Sequence, residues 1–410
     1  MNFSGKSSHR FLAAILSAAL LSCALGCGGS SKSSSHSSVI ATSGSNVAPI
    51  TVGSGPTGNY ADGAFATVTV CAPGTSTCAT IDGVLVDTGS TGLRILSSLL
   101  PAGLTQQTSG GNPVLECFPF VSGYTWGPIE TADIEISGEK ASSAFIQAIG
   151  SNDTVPSGCL SYGLPSSNTL ATLGANGILG VGLFAQDCGV SSSPTCPASA
   201  NVYYECPSAS SCSPISATAA QQVQNPVTLF SSDNNGVIVE LPAVTAPEAS
   251  LGGSLVFGIG TQSNNAVGSA TVYTADPNLG NFSTTFNGVD FSDAAFLDSG
   301  SNGYFFPDSS IPQCGTGASG FYCPSSTENL SATNQGFTQG SGTVSFSVAN
   351  ALNMFNQSPS DAVYPNLAGT TGTPPANVFD WGLPFFFGRN VFVAIDGAST
   401  PSGNGPFWAY

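Results

Sequence analysis

Basic residues are almost absent from this sequence: Lys and Arg together number 6 in 410 residues, against 23 Asp and Glu. The formal net charge is −17. Nucleic-acid binding needs clustered Lys and Arg to neutralise phosphates, and electrostatic attachment to anionic lipid needs a basic face; the composition argues against both. His occurs only twice and Cys-x-x-Cys spacing does not occur. No metal cluster is therefore expected, and no cofactor. Beyond the N-terminus there is no run of about 18 or more apolar residues, the length a membrane-spanning helix requires. Charged residues of either sign make up 7% of the chain, so Ser, Thr, Asn, Gln and Gly must carry its surface. Hydrophobic residues, at 41%, suffice for a sizeable core.

The N-terminus reads as an address. Lys6, His9 and Arg10 precede an apolar stretch from Phe11 to Gly26, a basic region followed by a hydrophobic one too short to span comfortably. Two endings, Leu20-Leu21-Ser22-Cys23 and Ala24-Leu25-Gly26-Cys27, resemble the bacterial lipoprotein box, in which the Cys is lipidated and becomes the first mature residue. Cys27 is favoured and Cys23 is the alternative, because cleavage at Cys27 leaves an even set of ten downstream cysteines. Residues 1–26 are then a signal peptide and 27–50 a Ser/Gly-rich tether. Such a chain is expected in the bacterial cell envelope, lipid-anchored and extracytoplasmic.

Export makes disulfides the default reading of those ten cysteines. Cys71/Cys78, Cys188/Cys196, Cys206/Cys212 and Cys314/Cys323 suggest themselves as short-range couples, leaving Cys117 and Cys159 for each other; spacing alone leaves the connectivity open.

From about residue 50 the chain reads all-β. Alternating segments such as 64–70, 132–136 and 237–241 are separated by Gly, Asn, Asp and Pro turns. Helical periodicity is brief, at 219–223 and 348–355. Residues 184–226 are rich in Cys, Pro and Ser and read as a stapled loop. An internal repeat organises the rest. Val84-Leu85-Val86-Asp87-Thr88-Gly89-Ser90-Thr91-Gly92 returns as Ala295-Phe296-Leu297-Asp298-Ser299-Gly300-Ser301-Asn302-Gly303. Gly177-Ile178-Leu179-Gly180 follows the first copy, and an aromatic segment from Trp381 to Gly388 follows the second. Two motifs in the same order imply two homologous lobes, over 51–226 and 227–410.

An Asp at the end of an apolar strand, in a Gly-containing turn, is a carboxylate aimed out of a rigid scaffold. Gly89 and Gly300 allow close backbone approach. The hydroxyls of Thr88, Ser90, Ser299 and Ser301 can donate hydrogen bonds that hold the carboxylates. Two such turns related by a pseudo-twofold axis would bring Asp87 and Asp298 together to share one proton, one serving as general base on a water and the other as general acid.

On these residues the chain resembles the pepsin-like aspartic peptidases. Asp87-Thr88-Gly89-Ser90 and Asp298-Ser299-Gly300-Ser301 match the two catalytic turns, and Gly177–Gly180 matches the apolar-apolar-Gly segment that crosses under the first. Thr125-Trp126-Gly127 with Ala132–Ile136 is similar to the return strand of the flap. Leu251–Gly258 and Trp381–Asp396 are similar to the opening strand and the closing segment of the second lobe. Together with the lipoprotein signal and Cys-rich insert, these features look like an uncharacterised bacterial group of pepsin-like lipoproteins.

The resemblance implies an all-β, two-lobed fold with a central cleft, and an aspartic endopeptidase acting on an extended peptide or protein, as a monomer. It also exposes departures. The flap-tip position usually held by Tyr falls on Phe120, with Tyr124 nearby, and the Trp expected after the first turn is Arg94. In the gapless register from Trp381, Pro384 stands where the second apolar-apolar-Gly should have its Gly; shifting to Phe386-Phe387-Gly388 recovers the Gly but worsens the match that follows.

Overall fold

The computed structural model describes residues 40–371 and 377–410. Cys23 and Cys27, and the signal and lipidation assignments resting on them, lie outside the described residues. The remainder is the all-β, two-lobed fold expected. In the first lobe, the strand Gly63–Cys71 pairs antiparallel with Cys78–Asp87, and Tyr124–Ile136 pairs with both Gly63–Cys71 and Glu139–Ile149. In the second, seven strands form a separate sheet that includes Phe282–Phe286, Val289–Leu297, Glu328–Gln335 and Ser341–Val348.

A shared sheet ties the lobes together. The strand Val47–Gly53 starts in the first lobe, but its long partner is Leu251–Phe257. That partner continues through Gly236–Leu241, Arg389–Ala394 and Phe407–Ala409. The tether assigned to 27–50 therefore ends before Val47. Ala48, Ile50 and Val52 alternate with exposed Pro49 and Thr51, and this period-two pattern buries them in the main core.

Residues 184–226 are likewise more than loop. They contain the strands Tyr203–Ser208 and Ser211–Pro214, because Val202, Tyr203 and Tyr204 bury large side chains. The helical segments are shorter than their periodicity suggested. Val348 ends a strand, and the helix Ala351–Gln357 begins where the Asn350 side chain accepts from the Asn353 N–H. Ala219–Gln221 is a single 3₁₀ turn.

All five cysteine couples form disulfides: Cys71–Cys78, Cys117–Cys159, Cys188–Cys196, Cys206–Cys212 and Cys314–Cys323. No described helix is long and apolar enough to cross a membrane.

Aromatic rings fill the second lobe beneath the turn that carries Asp298. Phe379 stacks on Phe306 with centroids 4.9 Å apart and meets Phe291, Phe346 and Trp381. Phe379→Ala should cost about 3–5 kcal/mol of stability by opening a cavity among rigid rings. Chemical denaturation checks this, with the expected change in midpoint and none in slope.

Candidate active site

Each Asp is delivered by the same local construction. The strand Cys78–Asp87 leads into the turn 88–90, and the chain returns along Thr91–Leu96. The strand Gly177–Val181 runs between the two arms, parallel to the first and antiparallel to the second. It places Leu179 opposite Val86 and Gly180 opposite Asp87. In the second lobe, Val289–Leu297 leads into Asp298, and Phe379–Trp381 lies between it and Tyr304–Phe305.

Trp381 stands opposite Leu297, as Leu179 stands opposite Val86. The second crossing segment is therefore Asp380-Trp381-Gly382, and the register reaching to Pro384 or Gly388 is corrected. Leu383–Phe386 is a buried 3₁₀ turn beyond it. The reason is steric. A Cβ on Gly382 would come within 2.0 Å of the Gly303 carbonyl oxygen, so the Gly of the crossing segment is Gly382, six residues before Gly388.

The turns meet face to face. The Thr88 N–H donates to Ser299 Oγ (3.1 Å), and the Ser299 N–H donates to Thr88 Oγ1 (2.9 Å). Each hydroxyl passes its own proton to the opposite strand, Thr88 to the Leu297 carbonyl and Ser299 to the Val86 carbonyl, both at 2.8 Å. Gly89 and Gly300 pack against the opposing acids. A Cβ on Gly89 would lie 2.7 Å from the Asp298 carboxyl carbon, and one on Gly300 would lie 2.8 Å from that of Asp87. The two carboxyls consequently face each other, and the charge of Asp298 acts on Asp87.

Asp87 accepts from the Gly89 N–H (2.8 Å) and Ser90 Oγ (2.5 Å). Asp298 accepts from the Gly300 N–H (2.8 Å) and Ser301 Oγ (2.9 Å). Burial, and then the charge of Asp298, push Asp87 well above the usual carboxylate range, against the lowering effect of its donors. Such a pair holds one proton between two oxygens and can activate a water from one side while protonating from the other. Among the described residues no group of three His, Cys, Asp or Glu is placed to hold a metal ion.

The flap is the hairpin Asn112–Pro119 and Tyr124–Ile136. Tyr203–Ser208 and Ser211–Pro214 add to its edge, making four strands, and Cys117–Cys159 staples it to a short helix. Alternation splits its aromatics between two faces. Tyr124 packs with Leu115, Cys117 and Trp126 on one. Phe118 and partly buried Phe120 lie on the other, over Arg94, whose guanidinium sits 3.7 Å from the Phe118 centroid and 5.8 Å from that of Phe120.

Arg94 is fully buried, and its charge is consumed locally. It forks onto Glu116 of the flap strand (3.2 and 2.8 Å) and reaches Asp187 of the insert (2.8 Å). Tyr203 donates to Asp187 (2.7 Å) and accepts the Val223 N–H (2.7 Å). One guanidinium thus joins barrel, flap and insert.

Three further residues carry weight that sequence reasoning did not assign. Tyr60 packs edge-on to Phe65 with centroids 5.4 Å apart, and its hydroxyl is kept neutral by burial and then by the charges of Asp87 and Asp298. A lone Tyr in a Gly-rich loop carries no sequence signal. Asp62 bridges the lobes: its N–H donates to the Ala362 carbonyl and its Oδ1 accepts from the Tyr364 N–H, both at 2.7 Å. Asp380, buried in the second crossing segment, lies with its Oδ2 2.6 Å from Ser301 Oγ. It became visible once the crossing segment was placed, because it stands where the first lobe has Ile178.

With this geometry in place, comparison with known proteins is informative. A family described as "Protein of unknown function (DUF3443)" matches residues 42–410, and the chain belongs to it. No curated protein matches the chain. Among solved structures the chain is similar to an aspartic proteinase from Irpex lacteus, at 16% identity and a TM-score of 0.48, over 88% of this chain and 96% of that one.

Arg94→Met would leave Glu116 and Asp187 buried without their cation. A loss of about 3–5 kcal/mol is expected, larger near neutral pH than in acid, where Asp187, raised well above the ordinary value by burial, takes up a proton. Denaturation at the two pH values checks this. A second expectation concerns the intact protein. Burial is the main cause that raises Asp62, Asp87, Asp187 and Asp380 well above the ordinary value and Glu240 up to about 7. The folded state therefore keeps protons that the unfolded chain releases. This contribution to stability is complete below the unfolded values, about 4, and is lost as pH rises through the folded ones. The melting temperature should accordingly fall from about pH 4 to about pH 8. Glu240→Gln should flatten the part of that fall below about pH 7.

Proposed function

We propose that this protein is an aspartic endopeptidase that hydrolyses peptide bonds with a water activated by Asp87 and Asp298, and that a lipid on Cys27 (or Cys23) anchors it at the outer face of a bacterial membrane. The observation that carries the reading is the reciprocal bonding of Thr88 and Ser299. It sets two buried carboxyls face to face, each fixed by a backbone N–H and a Ser hydroxyl from its own turn. A group so held has little freedom for anything but proton exchange with what lies between the turns. An extended peptide under the flap would pair by its backbone, which suits a cleft lined by strands. The water attacks the peptide carbonyl as one Asp takes its proton. The other Asp protonates the carbonyl oxygen, and collapse of the tetrahedral adduct transfers a proton to the leaving amine. No covalent acyl-enzyme is needed.

A second reading, a catalytically silent lipoprotein that binds peptide in the same cleft, draws support from the flap. Its four strands, its disulfide and the buried Arg94–Glu116 pair restrain an element that must yield to admit substrate. Cleavage of a mixed peptide library from about pH 3 to about pH 8 separates the two. Cleavage by the wild type, reduced at least about 10²–10⁴-fold in Asp87→Asn and in Asp298→Asn, is the expected outcome. A wild type that binds a statine-type transition-state mimic but cleaves nothing would establish the binder.

A further inference from the structure

The two halves of the site differ by one carboxyl. Ser90 and Ser301 occupy equivalent positions and each donates to the Asp of its own turn. Behind Ser90 the crossing strand supplies Ile178. Behind Ser301 it supplies Asp380, whose Oδ2 lies 2.6 Å from the hydroxyl that also lies 2.9 Å from Asp298 Oδ2. A hydroxyl has one proton and cannot donate to two carboxylates. One of the two contacts must therefore run the other way, from a protonated carboxyl to the Ser oxygen.

Burial decides which. Asp298 accepts a second bond from the Gly300 N–H and is 8% exposed. Asp380 is 3% exposed, and its Oδ1 is buried with no hydrogen-bond partner among the described residues. Ionised, Asp380 would bury a charge with one donor and an orphaned oxygen. Protonated, it needs only an acceptor, and Ser301 provides one.

The surroundings agree. Phe296 and Phe305 are its paired neighbours on the two flanking strands. On those strands Tyr304 is kept neutral by burial, with Arg389 acting on it in the opposite sense, while Asp290 and Asp293 lie at the exposed end. The charges acting on Asp380 itself are those of Asp298 and Asp87. Burial first, and then Asp298, raise its proton affinity, and only a proton donated by Ser301 would work against them.

Accepting the peptidase reading, we infer that Asp380 is a positioning residue that keeps its proton and, through the Ser301 hydroxyl, holds Asp298 as the ionised member of the pair. The chain of bonds is Asp380 O–H to Ser301 Oγ, and Ser301 O–H to the Asp298 carboxylate. The shared proton then rests on Asp87. Asp298 is the base that takes the proton of water, and Asp87 is the acid that protonates the carbonyl oxygen. When Asp380 ionises at higher pH it becomes a rival acceptor for the Ser301 proton and sets a further negative charge beside the dyad, ending activity.

Asp380→Asn tests this in the full chain, because a carboxamide donates to Ser301 at every pH and cannot ionise. Asp380→Ile, which restores the residue of the first lobe, is the second variant. Both should retain cleavage and move the alkaline limb of the kcat/KM profile upward by about one pH unit or more, leaving the acid limb in place. A variant that merely loses activity, or that keeps the wild-type limb, would overturn the proposal. If the wild type cleaves nothing, the peptidase reading fails on its own, and the proton on Asp380 is read from melting temperature against pH. The fall from about pH 4 to about pH 8 should then be shallower in both variants. Identical slopes would overturn the assignment.

Discussion

The crossed hydrogen bonds between Thr88 and Ser299 are the constraint on which the rest of this structure depends. They join residues 211 apart in sequence, at the point where two negatively polarised turns would otherwise repel. Each lobe must present its turn at the right height and angle, so the crossing strands, the shared sheet and the aromatic packing beneath the second turn all serve one contact. Because each partner both donates and accepts, the contact is symmetric. The carboxyls then meet without any cation to hold them.

The scarcity of basic residues gives that arrangement its electrostatic character. Of the four Lys and Arg beyond residue 26, one is spent in the interior, where Arg94 binds two carboxyls and stacks on Phe118. Most other buried acids have no such partner. Asp62, Asp87, Asp380 and Glu240 are raised by burial and are accommodated by holding protons. A fold built in this way is organised around neutral carboxyls, which suits an acidic surrounding and makes proton placement the main variable of the site. It also couples distant parts. Asp62 stitches the lobes, and the Arg94 cluster stitches flap to insert.

Much of this was legible in the chain. The duplicated Asp-(Thr/Ser)-Gly-Ser motif identified both turns, because such a turn needs those residue types wherever it occurs. Four of the five cysteine couples were suggested by proximity along the chain, since short loops close at low entropic cost, and Cys117 and Cys159 were left for each other. What escaped had no local pattern. The insert contributes strands to the flap because Tyr203 and Tyr204 find a buried face there, which depends on a hairpin some ninety positions away. The second crossing segment was misplaced because the gapless register from Trp381 runs on to Pro384, and its alternative, Phe386-Phe387-Gly388, is a more apolar string than Asp380-Trp381-Gly382. Only the close approach of the Gly303 backbone selects Gly382.

The sequence by itself determined two lobes of β-structure, two Asp turns and the short-range cysteine couples, because each of these is written in residues close together in the chain. The tertiary structure alone decided that Arg94 faces Glu116 and Asp187 instead of solvent, that Tyr124 turns to the outer face of the flap, and that a third carboxyl stands behind Ser301. Those outcomes depend on which side chain lies opposite which across a sheet. Strand register sets that opposition, and register is a property of the whole fold.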